Sequence, residues 1–238
     1  AVILSGQWPC AVPSLTGGPL LDEYAFSQLH FHWGGDCQEG SEHTVDGVPQ
    51  PLEIHAVFFN KKYPNHNEAR KERNGLIALA YFANIQDEDN NNYQKIVNAL
   101  PFITQANTSA YIDPVGLQFF IKDFKEDYLT YWGSVVAADC VHTILWFICR
   151  IPFGISKQQL ARFRDLKDGC EKPMCRNFRR VQDLAGRAVY SVAPAKQNPN
   201  FLYPVGYDPE AAAKGAKEKG GNKGKGKKGK GGKKGKKK

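Results

Sequence analysis

The sequence predicts a mainly β domain, mixed α/β only by element count, built on a large and mostly antiparallel sheet with few helices. Five segments are rich in aromatic and β-branched residues, as strands are: residues 24–33, 52–60, 76–84, 117–123 and 141–150. Clusters of Gly, Asn and Pro separate several of them, which is typical of turns. Only two further segments have helical character.

The first predicted helix spans residues 91–100, since Pro101 disfavours helical conformation in the residue before it. The second spans residues 156–166 and begins at Ser156, a residue type that caps helices well. Many strands with few helices favour a mainly antiparallel sheet protein.

Three histidines lie at related positions of the first two predicted strands. His30 and His32 alternate with Gln28 in residues 24–33, and His55 alternates with Glu53 in residues 52–60. Because alternate residues of a strand share a face, pairing of the two strands would bring the three imidazoles together.

Three neutral nitrogens with one open position form the ligand set of a catalytic zinc site. Gln28 and Glu53 are placed to accept the outer N–H groups of such ligands, which fixes their tautomer. The alternative is that these histidines are ordinary members of the polar faces of two strands.

The surrounding sequence resembles the α-carbonic anhydrases. The similarity is strongest in QLHFHWG at residues 28–34, GSEHTVD at residues 40–46 and EIH at residues 53–55, whose spacing matches the family without a gap. It extends over about residues 1–190 through further matches at residues 17–20, 74–76, 127–128, 131–134, 146 and 177–179. Within the family, the sequence is most similar to the nacrein-like proteins of mollusc shell matrix.

The resemblance implies a twisted central sheet with small peripheral helices and a lyase that hydrates carbon dioxide reversibly to bicarbonate. His30, His32 and His55 would bind Zn²⁺, which lowers the pKa of bound water to about 7. Glu42 would be the buried carboxylate of the catalytic hydrogen-bond chain. The apolar wall for carbon dioxide would comprise Val57, Ala78, Val135, Val136, Ala137 and Trp146.

The chain departs from the family in the turn after Gly133-Ser134, where Val-Val-Ala-Ala-Asp replaces Leu-Thr-Thr-Pro-Pro. Val136 stands at the first threonine, whose hydroxyl links the reacting hydroxide to the buried glutamate. Loss of such a partner typically costs about 10–100-fold in activity or metal affinity. By the resemblance, the histidine that acts as the family's proton shuttle would lie before residue 1. We expect about the first quarter of the family's fold to lie before residue 1 as well.

The other histidines receive no catalytic role. His43 resembles a structural histidine of the family. His66, in a polar stretch, and His142, on a predicted strand, are interpreted as surface or core residues. The acidic and amide run at residues 86–92 is interpreted as a solvated loop, with a weak Ca²⁺-attracting patch as the alternative.

The net charge of +8 belongs to the C-terminus. Residues 214–238 contain thirteen lysines and one acid, and without them 19 basic and 23 acidic side chains remain. We therefore predict an anhydrase-like domain at residues 1–206 and a disordered Lys/Gly-rich tail at residues 207–238. Such a tail binds polyanions; acidic matrix polymers and calcium carbonate mineral are favoured over nucleic acid, since the tail has no aromatic residue for base stacking.

Several features favour a secreted protein of the extracellular matrix. Asn107-Thr108-Ser109 is a glycosylation sequon, and Cys170 and Cys175 flank a short loop that a disulfide could close. By the resemblance, Cys140 would pair with a cysteine before residue 1. No segment is long and apolar enough to span a bilayer.

We therefore expect a zinc-dependent carbonic anhydrase of a calcifying matrix that also restrains calcium carbonate growth. The alternative is a catalytically weak scaffold whose tail binds mineral or acidic matrix.

Overall fold

A computed structural model of the chain describes residues 1–122, 124, 127–134 and 144–192. All of them lie within one unit of the chain, Ala1–Leu202. The predicted tail at residues 207–238 lies outside the described residues, so its boundary and its disorder stay predictions.

The described residues form one sheet of eight strands in the order β1-β3-β4-β5-β7-β6-β8, with β2 pairing with β3. Every neighbouring pair is antiparallel except β5 and β7, which are parallel. The prediction of a large, mostly antiparallel sheet is therefore confirmed. The strands are β1 Val2–Leu4, β2 Ser14–Leu15, β3 Tyr24–Trp33, β4 Leu52–Asn60, β5 Leu76–Gln86, β6 Tyr128–Gly133, β7 Ile144–Ser156 and β8 Tyr190–Val192.

The described residues include three short α-helices beside the sheet: α1 His66–Ala69, α2 Asn91–Ala99 and α3 Lys157–Arg164. The two predicted helices correspond to α2 and α3. Ser156 caps α3 as expected, and it forms a capping box with Gln159. The helix α1 was not anticipated; its N-cap is Asn65, whose side chain accepts a hydrogen bond from the backbone N–H of Glu68.

The predicted strand at residues 117–123 is wrong. Leu117–Phe119 form a 3₁₀ turn, in which the backbone N–H of Phe120 donates to the carbonyl of Leu117. Phe120 is buried while Phe119 is half exposed. A short apolar run fits a helical turn as well as a strand, and here the turn buries Phe120 without a partner strand.

The two faces of the sheet carry different residues. The larger apolar cluster contains Leu29, Phe31 and Trp33 of β3, together with Phe163 of α3. The smaller cluster, on the opposite face, contains Ala78, Trp146 and Ala69 of α1. Alternation along β3 therefore directs His30 and His32 toward the side of the smaller cluster.

The disulfide that Cys170 and Cys175 could form is not present, and both thiols are free and exposed. The loop is closed instead by an isolated β-bridge between Lys167 and Pro173 and by the side chain of Asp168, whose Oδ1 accepts from the backbone N–H groups of Cys170 and Lys172. Cys140 lies outside the described residues. In the described part of the chain, no helix is both long and apolar enough to cross a membrane.

Candidate metal centre

The three predicted ligand histidines meet on one face of the sheet. His30 of β3 is directly opposite His55 of β4, and His32 follows on the same side of β3. One nitrogen from each ring lies within 4.8 Å of the others. The Nδ1 atom of His55 is 3.2 Å from Nε2 of His30, close to the spacing of about 3.3 Å that a tetrahedral zinc with Zn–N bonds of ~2.0–2.1 Å requires.

Hydrogen bonds to the outer nitrogens fix two of the tautomers. Nδ1 of His32 donates to the backbone carbonyl of Asn177 at 2.9 Å, and Nε2 of His55 donates to Oε1 of Glu53 at 2.6 Å. This leaves Nε2 of His32 with a lone pair, and that atom is buried without a hydrogen-bond partner. A buried lone pair directed at two further imidazoles fits a metal ion, and the all-nitrogen donor set fits zinc.

Glu53 is fully buried and accepts four hydrogen bonds. Its Oε1 receives the rings of His43 and His55, each at 2.6 Å, and its Oε2 receives the backbone N–H groups of Glu42 and His43 at 2.8 and 2.9 Å. Burial acts to raise the pKa of Glu53, but the charges and hydrogen bonds of the two histidines outweigh it and hold the pKa well below its usual range. Glu53 is therefore an ionised acceptor that fixes the orientation of the His55 ring.

His43 and Tyr131 extend this chain of hydrogen bonds. Nε2 of His43 lies 2.7 Å from the hydroxyl of Tyr131, and the ring of Tyr131 lies under the guanidinium of Arg187. Burial acts to lower the pKa of His43, but the charge and hydrogen bond of the adjacent Glu53 carboxylate have the larger combined effect, so the pKa is raised overall. Burial also raises the pKa of Tyr131. Both nitrogens of His43 are engaged, which agrees with a structural role.

His30 and His32 are both held in the neutral form. Burial, then the proximity of His55 and His32, lowers the pKa of His30 to about 2. Burial and His55 likewise lower the pKa of His32. Neutral imidazole is the form that binds a metal, so neither ring must lose a proton at neutral pH before it can do so.

Gln28 lies on the expected face, but it does not make the expected bond. Nδ1 of His30 is buried and has no hydrogen-bond partner in the described part of the chain. Oε1 of Glu42 accepts from the backbone N–H of Arg179 at 3.0 Å and lies 3.6 Å from Nδ1 of His32, with 18% of the Glu42 side chain exposed. Glu42 thus borders the site, less deeply buried than anticipated.

Three of the residues predicted to contact substrate form a row across the sheet. Val57 of β4 pairs with Ala78 of β5, which pairs with Trp146 of β7, and all three are buried. On the β3 side, the row continues to Gln28, which pairs with Val57 and lies two residues before His30. An apolar surface therefore adjoins the histidines. The rest of the predicted wall (Val135, Val136 and Ala137) lies outside the described residues.

Sequence reasoning did not assign a role to Asn177, which secures β3 from 144 residues away. Besides the carbonyl that accepts from His32, its side-chain oxygen accepts from the N–H of Trp33 at 2.7 Å, and its amide donates to the carbonyl of Phe31 at 2.8 Å. Its place in a family motif was visible in the sequence, but such long-range bonds follow only from the fold.

Two predicted sites lie away from the histidines: the glycosylation sequon at Asn107 and the acidic run at residues 86–92. Asn107 is exposed, so its side chain is accessible. Its backbone adopts a positive φ of 61°. The run at residues 86–92 gives no support to a Ca²⁺ patch: the side chain of Asn90 caps α2, Asp89 accepts from Ser156, and no cluster of metal-binding groups forms there among the described residues.

A scan against protein families matches residues 2–193 to the eukaryotic-type carbonic anhydrases. Relatives include rabbit carbonic anhydrase 1, 37% identical over 74% of this chain and 76% of that protein, and human carbonic anhydrase 3, 36% identical over 74% of this chain and 68% of that protein. Rat mitochondrial carbonic anhydrase 5A is 34% identical over 76% of this chain, and the match spans 61% of that longer protein. The chain therefore belongs to the eukaryotic-type carbonic anhydrase family.

Proposed function

We propose that this protein is a lyase that catalyses zinc-dependent, reversible hydration of carbon dioxide to bicarbonate. The observation that carries the proposal is the set of three histidine nitrogens with hydrogen bonds fixing the outer atoms of His32 and His55. The names of the relatives support the same activity.

The described residues divide the work between binding and orientation. His30, His32 and His55 would hold Zn²⁺, which supplies a hydroxide nucleophile at neutral pH when bound. The buried row of Val57, Ala78 and Trp146 offers carbon dioxide an apolar surface beside the histidines, while Glu53 keeps His55 in the tautomer that presents Nδ1.

Val136 sets the expected level of activity. Valine has nearly the shape of threonine but no hydroxyl, so Glu42 would lack the hydrogen-bond partner that the family provides. We expect a rate about 10–100-fold below that of a site with the hydroxyl.

Stopped-flow hydration on zinc-loaded full-length protein, beside Val136→Thr and the inert control Val12→Thr on the exposed surface, tests this proposal. Turnover that is present in the wild type and higher in Val136→Thr supports it. Background rates in both proteins, despite stoichiometric zinc, would refute it.

We further propose that the protein is secreted into a calcifying extracellular matrix, where its lysine-rich tail binds calcium carbonate mineral or acidic polymers and restrains crystal growth. The thirteen lysines of residues 214–238 and the accessible sequon at Asn107 support this setting. Binding of the full chain to calcite should weaken with salt and disappear when the tail lysines are replaced by glutamine. Stronger binding to DNA than to calcite at equal ionic strength would contradict the assignment.

The second candidate is a weak or inactive scaffold that acts through its tail, and the threonine missing at position 136 favours it. It predicts mineral binding by the wild type without measurable hydration, and recovery of hydration in Val136→Thr.

A further inference from the structure

His66 and Ser27 form a pair that the proposed function does not use. Ser27 lies on β3 where the register with β4 shifts between Phe26 and Gln28, and its hydroxyl is 3.0 Å from Nδ1 of His66. Phe26 belongs to the larger apolar cluster. Because a bulge places two consecutive residues on one side of a strand, Ser27 and Gln28 share the face opposite Phe26.

That face is the one that carries the metal centre. The helix α1, which begins at His66, packs through Ala69 into the smaller cluster with Ala78 and Trp146, and the ring of Trp146 lies 4.7 Å from that of His55. Ser27 is three residues before His30, a separation of about 10 Å along a strand. His66 therefore lies on the same side of the sheet as the metal centre, beside the start of the strand segment that carries His30.

The remaining histidines of the described chain have other engagements. His30, His32 and His55 form the metal centre, and both nitrogens of His43 are hydrogen-bonded. His66 is half-buried, and in the described part of the chain no protein group bonds its Nε2. It therefore presents an imidazole nitrogen with access to solvent on the side of the site.

Each hydration consumes one carbon dioxide and one water and yields one bicarbonate and one proton, which must leave before the next cycle. Imidazole is the side chain best suited to carry a proton near neutral pH. We propose that Nε2 of neutral His66 accepts this proton through intervening water, and that the resulting imidazolium passes it to a base in solution. This inference rests on the proposed function, and it deepens it by naming the residue that exports the proton.

The surroundings of His66 tune its basicity. Burial, then the positive charge of Arg70, lowers the pKa of His66. Among the other charges of residues 66–73, Glu68 and Lys71 are paired with each other at 2.9 Å, Glu72 is exposed, and the guanidinium of Arg73 lies over the ring of Trp132. The group contributed by β3 is the neutral hydroxyl of Ser27. A lowered pKa favours release of a proton from His66 to solvent and disfavours its acceptance from the site, so a variant with a higher pKa should accept the proton more readily.

The test is stopped-flow hydration by zinc-loaded full-length protein at low and high concentrations of an imidazole buffer. In His66→Ala, kcat at low buffer should fall about 10-fold or more and recover at high buffer, while kcat/KM, which reports steps before proton export, stays within about 2-fold. Arg70→Gln should raise kcat at low buffer. Ser27→Ala removes the hydrogen bond to Nδ1 and should change kcat without changing kcat/KM.

An NMR titration of the His66 ring, with and without zinc, provides a readout independent of turnover. The pKa should lie below 6.5 in the wild type and should rise in Arg70→Gln.

Equal kcat for wild type and His66→Ala at low buffer would overturn the inference. A loss in both kcat and kcat/KM that imidazole does not restore would overturn it too, since that pattern marks a structural role. A wild type inactive in every buffer would instead refute the proposed function.

Discussion

The two faces of β3 and β4 perform different tasks with alternate residues of the same strands. On one face, Phe31 and Trp33 are fully buried in the larger apolar cluster. On the other, His30 and His32 face His55 with buried, oriented nitrogens. The apolar face fixes the backbone that carries the imidazoles, because each histidine is flanked in sequence by residues buried in the core.

The side chains of the two faces are ordered by different kinds of interaction. The apolar face is ordered by packing, which depends on volume and tolerates similar side chains. The histidine face is ordered by hydrogen bonds to Glu53 and Asn177, which depend on the position of single atoms. Substitutions on the first face should therefore change stability, and those on the second should change metal binding.

Replacement of a ligand should separate the two faces most sharply. We expect His55→Ala to lower zinc affinity by more than about 100-fold, beyond the loss typical of an outer-shell partner, and to abolish hydration. Metal content after dialysis against a chelator measures this effect. His66→Ala is the matched control and should retain zinc; equal zinc content in both variants would contradict the assignment of His55.

Truncation on the opposite face should give the converse result. Phe31→Ala should lower the free energy of unfolding by about 3–5 kcal/mol through the cavity it leaves, while zinc still binds to the folded fraction. Denaturant titration measures the change. The exposed Phe102 provides a matched Phe102→Ala control, expected to stay within ~0.5 kcal/mol of wild type. Equal destabilisation by both variants would show that the β3 face does not carry the core.

Glu53 is buried as deeply as a core residue, but its carboxylate is hydrogen-bonded to the histidines His43 and His55. Glu53→Gln keeps the shape but cannot accept from both His43 and His55 as an anion, so we expect about 10–100-fold weaker zinc binding. Competition with a fluorescent zinc chelator measures it. Glu23→Gln, at an exposed carboxylate, is the control. Unchanged affinity in Glu53→Gln would show that the tautomer of His55 is set by other contacts.

The sequence was sufficient for the parts of the site that depend on alternation. The bounds of β3 and β4 match their predicted ranges, and the register pairs His30 with His55. The network around His43, Tyr131 and Asn177 could not be predicted from spacing, because the bonds from His43 to Tyr131 and from His32 to Asn177 join residues 88 and 145 positions apart. The local sequence of His66 predicts only a surface or core residue, because nothing in it reveals the bulge that places Ser27 against the ring.

The pH dependence of stability gives the smallest effect and the finest test of the histidine face. In the metal-free protein, the lowered pKa values of His30 and His32 mean that unfolding takes up protons below about pH 6.5, so stability should fall on acidification from there toward pH 2. The raised pKa of His43 acts in the opposite sense: its contribution is present below about pH 6.5 and is lost as pH rises through its folded value. A maximum near pH 6.5 follows, with an acid slope of at most ~1.4 kcal/mol per pH unit from each group. Denaturant titrations of chelator-treated protein between pH 4.5 and 8.5 measure the slope, and His30→Gln should reduce it on the acid side alone. An unchanged acid slope in that variant would mean that His30 is protonated in the folded protein, and therefore not held ready for a metal.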